Sequence, residues 1–178
     1  MQFLKSYRGA ALITALVILL SVVFGAHRSL TAVRSDVLQV FEMGAYGDGH
    51  SVKGDLNARR AVCANLYTVA QRYLPEAELD ELGRSLEETD QEAPSASAYE
   101  NLDSAAHLVI EELEAVSLSE QDAKYVSGFQ AELTSRTLTI AKDPYHQRAL
   151  EFNNDTLGAF PANLLKHVAF VEALPIYR

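Results

Sequence analysis

From Tyr99 to Val116 the chain reads YENLDSAAHLVIEELEAV. Tyr99, Leu102, Ala106, Val109, Leu113 and Val116 recur at intervals of three and four, which gathers apolar side chains on one stripe of an α-helix. Other segments repeat the pattern. Val62, Leu66, Val69 and Tyr73 do so in a helix expected from Ser51 to Leu74, which Pro75 ends. Val126, Phe129, Leu133 and Ile140 do so in a helix that Ser119 and Asp122 open as a capping box. Asp143 as N-cap and Pro144 at the first helical position then restart the helix, with Tyr145, Ala149, Phe152 and Thr156 on its inward face. No segment alternates apolar and polar residues as a half-buried strand does. Such stripes must bury against one another. The expected fold is therefore all-α: an antiparallel helical bundle of about four to five helices.

The connections follow from turn chemistry. Gly44 to Gly49 holds three glycines and stops the preceding helix; Asp48-Gly49 turns the chain and Ser51 caps the next helix. Residues 76 to 92 carry eight acids against the single base Arg84, with Leu79, Leu82 and Leu86 as the main apolar contacts. That stretch reads as a short solvated helix followed by a linker through Pro94. Residues 163 to 177, rich in Leu, Val and Phe, either close the bundle or touch a membrane surface.

At the other end, Ala10 to Ala26 forms 17 residues without a charge. As a helix this run is about 26 Å long, a little short of a hydrocarbon core of about 30 Å, and Tyr7, Arg8, His27 and Arg28 extend it into the interfaces. It predicts one membrane span with Ala10 and Ala26 at its ends. The chain then divides into a short lead and anchor, 1–28, and a bundle, 29–178. A cleavable secretory signal is the competing reading, but Phe24 spoils a cut after Ala26 and leaves only one after Gly25. Leu30, Val33, Val37 and Val40/Phe41 carry the helical spacing onward from the run. Lys5 and Arg8 nearly balance Arg28 and Arg34 across the span; the expectation is a short cytoplasmic N-terminus and an extracytoplasmic bundle at the cell membrane.

Composition narrows the partners. The net charge is −9, and beyond residue 28 twelve bases face 24 acids. A domain at −12 repels nucleic acid and anionic headgroups, so no nucleic-acid partner is expected. One cysteine, Cys63, excludes an internal disulfide and a multi-cysteine zinc site; in mid-helix it reads as a small buried hydrophobe. Asp103, His107 and Glu111 share a helix face, as metal ligands would, but away from the seam and toward solvent, so no metal site is expected. The loop Gly47 to Ser51 lacks the Lys of a phosphate loop and the Gly-x-Ser-x-Gly of a nucleophile elbow. Arg59 faces Asp55 one turn back, an expected pair. The polar residues of most interest are Asn65 and Arg136. Arg136 falls on or beside the seam between Leu133 and Ile140, where a charge is tolerated when a facing acid, or an amide such as Asn65, pairs with it and fixes register; an arginine snorkelling at the bundle edge is the equal alternative.

With these features in view, the chain resembles the bacterial LemA family. The resemblance is carried by the N-terminal membrane helix, Asp55-Leu56-Asn57-Ala58-Arg59, Asn65-Leu66, Ser135-Arg136, Tyr145-His146 with Phe152-Asn153 seven residues on, and Phe160-Pro161-Ala162-Asn163-Leu164. It departs from the family at His146, in the glycine-rich break, and in a stretch from Phe152 to Pro161 that is a single residue longer. The resemblance implies a membrane-anchored helical bundle of bacterial origin and brings no established catalytic residues.

No catalytic or cofactor-binding constellation of base, nucleophile and oxyanion donors is legible. The expected function is a non-enzymatic interaction or scaffold module, held by membrane lipid through its first helix and offering an acidic surface to a protein partner. The alternative is an enzyme, or an accessory subunit of one, using the Asp103–His107–Glu111 face or the His50–Ser51 loop. Self-association through the Tyr99–Val116 helix is a third reading.

Overall fold

Hydroxyl caps set three of the helix starts. Ser51, Ser95 and Ser119 each stand in extended backbone, and each side chain accepts the backbone N–H of the residue three positions on: Gly54, Ala98 and Asp122. The computed structural model describes residues 7–47, 49–91 and 94–177. Its helices are α1 (Tyr7–Met43), α2 (Val52–Ala70), α3 (Glu76–Glu88), α4 (Ala96–Glu114), α5 (Glu120–Lys142), α6 (Pro144–Glu151) and α7 (Ala162–Ala169), with a π-helical turn at Phe152–Thr156. No strand occurs among the described residues. The all-α expectation holds.

α1 stops where Gly44, at φ 79°, takes the left-handed conformation that glycine adopts without strain; Gly47 and Gly49 follow at 66° and 84°. Asp48, expected to share that turn, lies outside the described residues, as do Lys5, the side chain of Arg8, and residues 92–93 of the acidic linker. α2 ends at Ala70 and tightens through bonds from Arg72 to Val69 and from Tyr73 to Ala70, so Pro75 caps α3 rather than ending α2 directly. Asp143 closes α5 in extended backbone and its carboxylate accepts the Tyr145 N–H at 2.8 Å, with Pro144 opening α6 as expected.

The chain forms two compact units. One comprises Gln39–Gln147 together with the residues from Pro175 onward. Here α2 packs on α5, α3 and α4, α3 lies along α4, and α4 also meets α5. The seam of α4 is buried from Tyr99 to Leu113 against these neighbours, while Val116 lies past the helix end and is exposed. On α2 the buried stripe is Val52, Leu56, Arg59, Cys63, Leu66 and Ala70. Of the expected stripe Leu66 and Val69 are buried, whereas Val62 and Tyr73 are half-buried and Cys63 takes the enclosed position beside Val62. Phe129 is likewise half-buried, stacked on Tyr125 at 6.4 Å rather than inserted in the core. At one corner Phe41, Tyr145, Tyr177 and Tyr99 form a ring cluster with centroids 5.2 to 6.4 Å apart, and Tyr145 Oη donates to the Pro175 carbonyl at 2.7 Å.

The other unit joins the chain up to Leu38 with Arg148–Leu174. From Ala10 to Val22 every residue of α1 is exposed, whereas Leu30 and Val37 are buried. This is one helix long and apolar enough to cross a membrane. Beside it, His27 Nδ1 donates to the Ala169 carbonyl at 2.7 Å and Arg34 Nε to the Glu172 carbonyl at 3.2 Å. Asn153 grips the tail with two bonds to Leu174, donating to its carbonyl at 2.9 Å and accepting its N–H at 2.8 Å.

Candidate functional site

The charged groups that the bundle buries gather on α2 and its ends. Its inner face presents Asp55 and Arg59, one turn apart, among leucines that would favour an aliphatic residue at either place. Arg59 is buried, with 1% of its side chain exposed, and ion-pairs with Asp103 of α4. Desolvation pulls its pKa below the usual arginine value, and the Asp103 carboxylate sets an opposite charge beside it. Asp55, also buried, accepts from Arg136 Nη1 of α5 at 2.7 Å, and Glu132 accepts from the same guanidinium at 2.7 to 2.8 Å. These two carboxylates raise the Arg136 pKa above its ordinary value. Alternating charges thus run from Glu132 and Arg136 on α5, through Asp55 and Arg59 on α2, to Asp103 on α4.

A second clamp joins the opposite ends of the same helix pair. Tyr73 Oη donates to Asp122 Oδ2 at 2.6 Å, Arg72 Nη1 to Oδ1 at 2.9 Å, and Ser119 Oγ to Oδ2 at 2.9 Å. The Tyr73 and Ser119 hydroxyls, with Arg72 behind them, hold the Asp122 carboxyl below the usual carboxylate range. This is half of the expected capping box. Ser119 Oγ accepts the Asp122 N–H, but the Ser119 N–H donates to Tyr73 Oη instead of to Asp122. Because Asp55 near the start of α2 meets the later part of α5, while residues just past the end of α2 meet the start of α5, the two helices run antiparallel with both ends pinned.

Several expectations change accordingly. The ion pairs that form are interhelical, Arg59 with Asp103 and Asp55 with Arg136, which leaves neither Asp103 nor Arg136 without an opposite charge. Arg136 does meet an acid of a facing helix, but Asn65 is not its partner, since Asn65 faces solvent on the outer side of α2. Asp103 is drawn out of the supposed solvent row into the bundle, leaving His107 and Glu111 exposed. Among the described residues no group of three or more His, Cys, Asp or Glu side chains is arranged to hold a metal ion. Ser51 Oγ is occupied as a helix cap, and His50 lines an open cleft of about 450 Å³ with Tyr46, Ser135, Thr139, Lys142 and Asp143, which His107 does not reach. Burial pushes the Cys63 thiol up to about 12, only partly offset by Arg59, so it is protonated at neutral pH. Sequence reasoning missed the burial of Arg59 and the place of Tyr177 in the ring cluster. The three-four spacing of Arg59 with Leu56 and Cys63 was the available signal for the first; nothing in the local pattern marked the second.

Comparison with protein-family models, with curated proteins and with solved structures found no match.

Proposed function

We propose that this protein is a single-pass, membrane-anchored interaction or scaffold module of the LemA type, non-enzymatic, with its acidic bundle outside the cytoplasm of a bacterial cell. The observation that carries the reading is the continuity of α1: one 37-residue helix has an exposed apolar run at its start and buried Leu30, Val37 and Val40 further along. Exposed leucines, isoleucines and valines on every side of a rod are stable in lipid and not in water. The interior charges are engaged helix to helix, which suits them to fixing register rather than to moving protons.

The family resemblance gains support from where its residues sit. Asp55, Arg59 and Arg136 are the interhelical pairs, Phe152 opens the π turn, and Asn153 grips the tail. A π turn is how a helix takes in one extra residue, and it falls in the stretch that is a residue longer than the family spacing. The excess of acids beyond residue 28 favours a protein partner with a basic face over nucleic acid.

Crosslinking followed by affinity capture from the native membrane tests the reading, with reporter fusions at Arg178 for orientation. A discrete set of protein partners retained on the bundle and a reporter active outside the cytoplasm are expected. Detergent-free release of the intact chain as a soluble monomer overturns the anchor, and a cytoplasmic reporter overturns the orientation.

A further inference from the structure

We infer that α7, with Phe160 before it and Phe170 after it, is a second membrane contact: a foot lying in the headgroup layer of the bilayer that α1 crosses. This rests on the anchored reading above and adds a lipid-binding surface to it.

The first observation is an unpartnered apolar side. Leu164 and Val168, four apart, share one side of α7 and are exposed, and Phe160, in the turn that leads into the helix, is exposed by 79%. Phe170, turned into left-handed backbone at φ 53°, is exposed by 86%. The adjoining face of α7, about 100° round the helix, supplies the residues that face protein, with Ala169 buried and Leu165 half-buried. The solvent face of α7 is therefore mixed, with Leu164 and Val168 exposed beside the exposed His167, so large apolar side chains stay unburied on a helix whose protein-facing stripe is already filled.

The second observation is depth. His27, the first residue after the apolar run, holds the Ala169 carbonyl, and Arg34, seven residues further along α1, holds the Glu172 carbonyl. The chain leaving α7 therefore travels along α1 away from the run. The end of α7 sits where the run stops, at the level of the headgroups when α1 spans the bilayer.

Charge is the third. Residues 156–171 contain no Asp or Glu, although the chain has 24. Their charged or titratable side chains are Lys166 and His167 in the last turn of α7, close in depth to His27 and Arg28. Apolar side chains flanked by Lys, Arg and His are what the headgroup layer accepts. Four exposed apolar side chains are too few to hold a soluble protein on lipid. Here α1 has already brought them to the surface, so the contact forms intramolecularly.

The chain contains no tryptophan, so a single Trp substitution reports its own surroundings. The full-length chain is reconstituted in phosphatidylcholine vesicles brominated either near the headgroup end or near the methyl end of the acyl chains. Leu16→Trp, in mid-run, tests the anchor itself and should lose most of its emission to methyl-end bromine. Val33→Trp, about 9 Å beyond His27 along α1, should stay unquenched. Phe170→Trp and Phe160→Trp should emit to the blue and lose most of their emission to headgroup-end bromine. If Leu16→Trp is quenched while Phe170→Trp and Phe160→Trp are not, the foot is wrong and the anchor stands. Blue, unquenched emission from Phe170→Trp means that protein, a partner or a second copy, covers the patch, and it overturns the lipid contact. An unquenched Leu16→Trp overturns the anchored reading instead.

Discussion

Arg136 Nη1 lies 2.7 Å from Asp55 Oδ1, joining positions 81 residues apart in the sequence. Asp55 is nearly enclosed while 36% of the Arg136 side chain remains exposed, so solvent screens one partner and not the other. Arg136→Leu strands a buried carboxylate. Breaking a fully buried pair costs about 3–5 kcal/mol, and the exposure of Arg136 reduces the expectation to about 1–2 kcal/mol. Adding Asp55→Leu should recover most of that loss. Urea unfolding of the two single variants and the double variant checks it; strictly additive losses would rule out a paired charge.

The Arg59–Asp103 pair is more deeply placed and should respond more strongly. Asp103→Asn leaves a guanidinium that is 1% exposed without its counter-charge, with an expected loss of about 3–5 kcal/mol. Arg59→Met removes the charge and keeps the bulk, and should cost less than Asp103→Asn. The same unfolding measurement decides it, and the reverse order would show that Arg59 acts through packing rather than charge.

How much of this was legible follows from range. The seam from Tyr99 to Leu113, the apolar run, the Ser51 cap and the break at Pro144 are written within a turn or two of helix, where spacing and capping speak directly. Which acid meets Arg136 depends on how α5 lies across α2, and nothing near either residue records that. The i−4 rule pointed Arg59 at Asp55 because an isolated helix offers it no better partner; α4 does. On α2, Leu66 and Val69 were read correctly, but Cys63 rather than Val62 is enclosed because Arg59 was read as surface, and an arginine at a core position is invisible to hydrophobic spacing. The clasp of Asn153 on Leu174 and the place of Tyr177 among Phe41, Tyr99 and Tyr145 join segments with no shared local pattern.

The Asp122 clamp predicts a pH dependence. Its carboxyl titrates below the ordinary range when folded, so ionisation stabilises the folded chain above about pH 4, the ordinary carboxylate value. That contribution is lost as pH falls through the lowered folded pKa. Melting temperature recorded from neutral pH into acid should fall more steeply for the wild type than for Asp122→Asn. Parallel acid limbs would exclude Asp122 as a source of acid sensitivity.

Cys63 should behave as an inert thiol. With its pKa pushed up to about 12 and its side chain enclosed, alkylation across the neutral range should be slow in the folded chain and rapid in denaturant. Since it is the single cysteine, mass spectrometry after timed iodoacetamide treatment reads it without ambiguity. Fast labelling without denaturant would place the thiol at a surface.

The glycine loop after α1 has a stereochemical consequence. A methyl group at Gly47 or Gly49 would meet nothing within 4 Å, so size imposes no constraint at either position. What constrains them is handedness, at φ 66° and 84°. An ordinary alanine should destabilise by about 1–2 kcal/mol. Its mirror image, D-alanine, introduced by chemical ligation, should stabilise by about 0.4–1 kcal/mol through loss of unfolded-state freedom. Two substituents of identical atoms would then act in opposite directions on the same loop.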